Sequence, residues 1–305
     1  MDDILRIESI SQFNQLLGLG APDHPLISLY GDNQDTHKEA NDSLYGIRFT
    51  TDLYVIMYKD SVSGSLDYGR NSYDFQHGTL LFLSPGQVIT SPSKEISLQS
   101  KGWTLLFHPD LIRKSSLGQQ MDEYSYFSYE VNEALHLSPK EESFISEVVH
   151  KIEEEYSRNL DQHSHRLILS NLELLLNYCV RFYDRQFYTR TDFHKDFIAE
   201  FEQKLKGYFN TEKPRELGIP SVGYFGEAMN MSPNYLSDLL KKETGKSTRS
   251  HINEMLIERA KTALLNSEAT ISEIAYTLGF EYHQSFSRLF KSKMGMSPQE
   301  YRTIH

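Results

Sequence analysis

AYTLGFEYHQSFSRLFK, residues 275–291, divides at Gly279 into two short helical patterns. Ile274 and Leu278 mark the inner side of the first. Phe286, Leu289 and Phe290, at i, i+3 and i+4, mark a buried face on the second. At ~100° per residue, Gln284, Ser287, Arg288 and Lys291 fall opposite that face, a set rich in donors for base edges and phosphates. Ala275 is small where two helices must cross closely, and Gly279 permits the left-handed turn between them. The pattern predicts a helix-turn-helix whose second helix enters a major groove.

The pattern occurs a second time upstream. In FGEAMNMSPNYLSDLLK, residues 225–241, Gly226 and Asn230 stand 49 positions before Ala275 and Gly279. Asn is the residue after Gly that best tolerates the left-handed region. Leu236, Leu239 and Leu240 stand 50 before Phe286, Leu289 and Phe290, so the second copy has one more residue in its turn. The copies end alike, at Gly245-Lys-Ser and Gly295-Met-Ser-Pro. Asn234, Ser237, Asp238 and Lys241 form the outward face of the first copy. Repetition of the same inner and outer faces marks two copies of one structural unit.

Residues 222–303 resemble the double helix-turn-helix DNA-binding domain of the AraC/XylS transcription regulators. The resemblance is carried by FGEAMNMSPNYLSDLLKKETGKS and ISEIAYTLGFEYHQSFSRLFKSKMGMSPQEYR. It implies an α+β multidomain chain: an N-terminal cupin-like antiparallel β-barrel with a helical dimerisation segment, then an all-α DNA-binding domain. The expected boundaries are 1–136 for the sensing domain, 137–184 for the helices, 185–196 for a linker and 197–305 for the DNA-binding domain. The implied function is sequence-specific transcriptional regulation controlled by a small effector in the barrel. The alternative is a regulator whose N-terminal part is only an interaction and dimerisation module. Its partners would be double-stranded promoter or operator DNA, a second copy of the chain and, for an activator, RNA polymerase.

The chain has 305 residues, a net charge of −11 and 39% hydrophobic residues, enough for two ordinary cores. Its acidity is unevenly placed. Residues 1–194 hold 16 Lys+Arg against 28 Asp+Glu, and 195–305 hold 15 against 14. A DNA-binding domain this close to neutral must rely on local placement of cations. No apolar run reaches the eighteen or so residues of a membrane span, and the start lacks the order of a signal peptide. Cys179 is the single cysteine, which excludes an intramolecular disulfide and fits a cytoplasmic protein.

From Leu26 to Tyr129, short β-type runs alternate with turn residues, as in a barrel or sandwich: 26–30, 45–50, 54–58, 65–68, 79–83, 95–99 and 103–108. YDFQHGTLLFLSPGQV and GWTLLFHPDLI resemble strands of the family's barrel. Tyr54, Tyr58, Tyr73, Phe75 and Trp103 either line an effector pocket there or fill the core. Metal-binding cupins pair His-x-His with a later Glu and His, whereas His37, His77 and His108 stand alone here. His163 and His165 fall in a helical segment, where residues two apart face different ways. No phosphate loop or nucleophile elbow occurs, so neither a metal, a cofactor nor catalysis is expected.

Ser138, Pro139 and Glu141 spell a helix start, followed by a stripe of Phe144, Ile145, Val148, Val149, Ile152 and Tyr156. In the next helix Ile168, Leu172, Leu175, Cys179 and Phe182 follow 4-3-4-3 spacing, suited to a helix-helix seam. By the resemblance this seam joins two subunits; packing within the chain fits the spacing equally. Asp184 to Asp196 is polar and aperiodic, as a linker would be. Phe197, Phe201, Leu205 and Phe209 then predict a helix leading into the DNA-binding domain.

Between the two units, the nineteen residues from Thr248 to Asn266 would span roughly 28 Å as a helix, close to the ~34 Å between successive major grooves. Such a strut could hold both reading helices in register. Gln284 and Arg288 are the first candidates for base contact, with adenine and guanine respectively. Ser287 shares their outward face, and by the resemblance His283, Asn234 and Ser237 join them. Asp238 either accepts from a cytosine or ties back a neighbouring lysine. Lys241, Lys242, Lys246, Arg249, Lys291, Lys293 and Arg302 are candidates for phosphate, and Phe280 and Tyr282 for packing.

Overall fold

The computed structural model describes residues 4–31, 47–60, 65–68, 71–74, 78–90, 102–130, 133–158, 160–189 and 191–304. They form two compact units, one ending at Thr189 and one beginning at Arg190.

The first unit opens with β1 (Leu5–Ile7) and α1 (Ile10–Leu16), which Ser9 caps by accepting from the Gln12 N–H. The strands that follow are β2 (Ile27–Gly31), β3 (Arg48–Thr51), β4 (Tyr54–Lys59), β5 (Ser65–Tyr68), β6 (Asn71–Asp74), β7 (Thr79–Leu83), β8 (Val88–Thr90) and β9 (Gly102–Phe107). After α2 (Pro109–Ile112), α3 (Ser116–Gln120) and two 3-10 turns comes β10 (Leu135–His136). The order β10-β7-β4-β9-β2 makes a five-stranded antiparallel sheet. A second sheet, β1-β3-β8, contains one parallel pair, β1 with β3, and β5 and β6 form a separate hairpin.

Strand alternation gives the large sheet two apolar faces. Val55, Leu83 and Leu106 point one way, into a core closed by Ile10 and Leu53, with Phe13, Tyr30, Met57 and Ile89 packed against it. Register places Tyr54, Ile56 and Tyr58 on the other face, beside Phe107, Leu105 and Trp103. Aromatic residues of the turns and helices cover that face: Phe82 packs against Tyr126 at 4.5 Å, Phe127 at 5.5 Å and Tyr183 at 6.2 Å. Both faces are thus roofed, which is why the strands read as continuous apolar runs.

Two long helices complete the unit, α4 (Pro139–Ser157) and α5 (Ser164–Thr189). The capping box of Ser138 and Glu141 is present, and Ile145, Val148, Val149, Ile152 and Tyr156 are buried. Phe144 is half-buried and packs on Tyr178 at 4.1 Å. The 4-3-4-3 stripe of α5 has its partner inside the same unit: Ile168, Leu172, Leu175 and Cys179 are 0% exposed and Phe182 is 7%. Burial raises the Cys179 thiol pKa, leaving it a small apolar core residue.

The polar stretch expected as a linker at 185–196 is helical. α5 continues to Thr189, and α6 (Thr191–Phe209) begins two residues later. Its first polar residues are spent within the first unit. The Arg185 Nε and a terminal nitrogen each donate to Glu141 at 2.9 Å, and that nitrogen also donates to the His136 carbonyl at 2.6 Å. Gln186, 2% exposed, bridges the His136 N–H and the Ala134 carbonyl. These side chains pin β10 to α5, so local polarity here records a buried network and not a solvated spacer.

The second unit is all helical: α6, α7 (Lys213–Leu217), α8 (Val222–Met229), α9 (Pro233–Thr244), α10 (Thr248–Asn266), α11 (Ile271–Thr277), α12 (His283–Met294) and α13 (Pro298–Ile304). Phe197, Phe201, Leu205 and Phe209 of α6 are buried, as their spacing predicts. Helix starts are set by Ser221, Ser232, Ser247 and Thr270, each accepting from a backbone N–H three residues on. No helix among the described residues is long and apolar enough to cross a membrane.

Candidate nucleic-acid interface

Each helix-turn-helix is built round one left-handed residue. Asn230, at φ 53°, ends α8 and is the only non-glycine with positive φ among the described residues; Gly279, at φ 92°, follows α11. The small residues before the turns are also required. A Cβ on Gly226 would lie 2.7 Å from the Met231 carbonyl, and Ala275 is fully buried.

The inner faces match the expected pattern with one exception. Leu236, Leu239 and Leu240 of α9 are 0–1% exposed, as are Phe286 and Phe290 of α12. Leu289 is only half-buried. It lines a cleft of about 540 Å³ with Pro220, Ile252 and Phe280. Helix α10 packs against α6, α9, α11, α12 and α13. It therefore buries Ile257 in addition to Ile252, Leu256, Ala260 and Leu264, and has no single apolar stripe.

On the outer faces, Asn234, Lys241 and Lys242 are exposed and Ser237 and Asp238 are half-buried on α9. On α12, Gln284, Arg288, Lys291 and Lys293 are exposed and His283 and Ser287 half-buried. The last turns of the two helices carry Lys241 and Lys242, or Lys291 and Lys293. Two twelve-residue helices with buried apolar and outward polar faces are therefore joined by one nineteen-residue helix.

Some candidates occupy other roles. Lys246 pairs with Glu254 at 2.8 Å, bridging the end of α9 and α10. Arg302 donates to the Leu264 carbonyl at 3.1 Å and the Ala269 carbonyl at 2.8 Å, closing α13 on the end of the strut, so it is structural. Arg249 is exposed at the rim of the 540 Å³ cleft. Phe280 packs on Phe286 at 5.4 Å, but Tyr282 is 59% exposed and packs little. It holds the cap position of α12 without capping it, where α9 has Ser232. An aromatic where a Ser or Thr is favoured was the available sign that Tyr282, with Tyr276 at 54%, is displayed.

In the first unit, Tyr54 stacks on Phe107 at 4.9 Å and meets Phe127 edge-on at 5.1 Å, and Tyr58 stacks on Trp103 at 5.6 Å. All lie on the helix-covered face of the large sheet, not between the two sheets. The backbone of Tyr73 belongs to β6, while its side chain, Phe75, His37 and His77 lie outside the described residues. His108 caps α2 by accepting from the Asp110 N–H. No group of three or more His, Cys, Asp or Glu among the described residues is gathered as a metal-ligand set.

Comparison with known proteins bears on the second unit most directly. A family model described as a helix-turn-helix domain matches residues 225–304. The chain is 27% identical over 220 residues to the uncharacterized HTH-type transcriptional regulator YijO of Escherichia coli, covering 72% of this chain and 74% of that one. It is 37% identical over 82 residues to the uncharacterized HTH-type transcriptional regulator YobQ of Bacillus subtilis, covering 27% of this chain and only 34% of the relative. Among solved structures it is similar to the C-terminal domain of AraT, a response regulator from Geobacillus stearothermophilus. The identity there is 30% and the TM-score 0.32, over 35% of this chain and 84% of that one. Residues 225–304 are a helix-turn-helix domain of the AraC type, and the chain is similar to transcriptional regulators that carry one.

Proposed function

We propose that α9 and α12 enter successive major grooves of one duplex and read two short boxes. Gln284 and Arg288 make the main base contacts of the second box, and His283 and Ser287 assist. Asn234 and Ser237 read the first. Lys241, Lys242, Arg249, Lys291 and Lys293 hold phosphates, while Lys246 must first leave Glu254. The observation that carries this reading is the pair of outward polar faces on helices whose inner faces, half-buried Leu289 apart, are buried, joined by a strut of roughly 28 Å. Asp238 beside these donors makes α9 the weaker reader. Selection of bound sequences from random duplex DNA by the full chain tests it. Enrichment of paired boxes is expected, and a selection that enriches nothing contradicts it.

For the first unit, we propose control by a small effector and association as a dimer. The effector reading is supported by the Trp103 Nε1–H, a buried donor without a hydrogen-bond partner, stacked beside Tyr58, whose hydroxyl has the Glu142 side chain as its neighbour. A bound molecule offering an acceptor would satisfy the indole N–H. The competing reading, an interaction module without ligand, is favoured by the ring contacts that make Tyr54 and Trp103 part of a packed face. A thermal-shift screen of full-length protein separates them: a true effector raises the melting temperature of the wild type more than that of Tyr58→Phe. With the 4-3-4-3 seam buried, the dimer surface moves to the exposed side of α5, where Leu167 is 43%, Leu174 40% and Val180 39% exposed.

A further inference from the structure

Between α6 and α8 the chain runs through residues 208–220, and this short arm touches both helix-turn-helix units and the strut between them. Against the first helix-turn-helix, the Tyr208 ring meets Tyr224 of α8 edge-on at 5.0 Å. Lys213 reaches the Tyr224 hydroxyl at 3.1 Å. Against the strut, Asn210 accepts a hydrogen bond from Arg259 of α10, whose guanidinium lies 5.8 Å over the Phe209 ring.

Against the second helix-turn-helix, the contact is backbone on backbone. A Cβ on Gly279 would lie 2.7 Å from the Gly218 carbonyl carbon, 2.8 Å from the Pro214 oxygen and 2.9 Å from the Ile219 nitrogen. Gly218 is held in turn. It has φ +81°, its N–H donates to the Pro214 carbonyl at 3.0 Å, and its own carbonyl accepts from the Tyr208 hydroxyl at 2.8 Å. With no side chain between them, the arm and the turn cannot shift relative to each other by changing a rotamer. Gly279 lies four positions before His283, where α12 begins. A single strut leaves rotation about its own axis soft; a second connection removes that freedom.

We infer that residues 208–220 are a brace that, together with α10, sets the distance and angle between the two reading helices, with Gly218 against Gly279 as its fixed point. The arm is thus a determinant of the spacing between boxes that the protein accepts. This rests on the two-box reading proposed above.

The test measures binding of the full-length protein to a series of duplexes in which the two boxes are moved apart or together by single base pairs. The wild type should prefer one spacing. In Gly279→Ala and Gly218→Ala the ratio of best to next spacing should fall toward one, while affinity for a fragment carrying only the box read by α9 is unchanged. Should either glycine variant fail to fold, Tyr208→Phe carries the test, because it removes only the hydroxyl that holds Gly218, and its ratio should fall in the same direction. Folded variants that keep the wild-type ratio overturn the brace and leave the two-box reading standing. A wild type that binds without any spacing preference removes the two-box reading and the brace with it.

Discussion

Asn230 and Gly279 occupy the same place in the two helix-turn-helix units, yet they are not interchangeable. At φ 53°, Asn230 sits where a β-carbon is tolerated if the side chain is short and polar, whereas nothing larger than a hydrogen fits at Gly279. Asn230→Ala is therefore expected to cost about 1–2 kcal/mol in the stability of the second unit, and Asn230→Gly little. Urea titrations of the three proteins measure this, and equal midpoints for Ala and Asn would contradict it. On the outward faces the distinction is between information and charge. Arg288→Ala should lose about 1–3 kcal/mol on the preferred site and relax preference at one base pair, while Lys241→Ala should weaken all sequences alike. Competition titrations on cognate and scrambled duplexes measure both. The buried and outward positions of α9 and α12 were legible from helical periodicity, because every inner position is paired with an outer one at known angles. The exposure of Tyr282 could be read only from its cap position, not from periodicity, and the role of Arg302 was not legible, since its carbonyl partners Leu264 and Ala269 lie more than thirty residues away.

At the scale of elements, what could be read depended on whether the deciding partner was near in sequence. The capped start of α4 and the buried stripes of α4 and α6 were legible. The strand pairing was not: the parallel pair β1 and β3 joins residues more than forty apart, and β10 is only two residues long. Heptad spacing on α5 revealed that the helix has a close-packed partner without telling which one. The structure gives that partner as the unit's own core, so the two stripes of α5 make opposite predictions. Leu172→Ala, at a fully buried site, should lower the stability of the chain by about 2–5 kcal/mol at any protein concentration. Leu174→Glu, at a 40% exposed site, should leave the melting temperature of the monomer unchanged and shift the sedimentation profile toward monomer. A Leu174→Glu protein that still dimerises would remove the exposed stripe from consideration.

For the whole molecule, the two units divide the labour. The acidic first unit encloses Phe82, Tyr126 and Phe127 between a sheet and helices, and the nearly neutral second unit presents cations at two helix ends. Weak overall charge means that binding should depend on the two boxes more than on DNA in general, with a correspondingly modest salt slope for random sequence. The central claim is that two separate helices of one chain read two separate boxes. It is tested most directly by repeating the selection from random duplex DNA with a Gln284→Ala, Arg288→Ala double variant beside the wild type. The account predicts that the wild type enriches two boxes about one helical turn apart and that the variant retains the box read by α9 and loses the other. Loss of both boxes together, or retention of both, would contradict it.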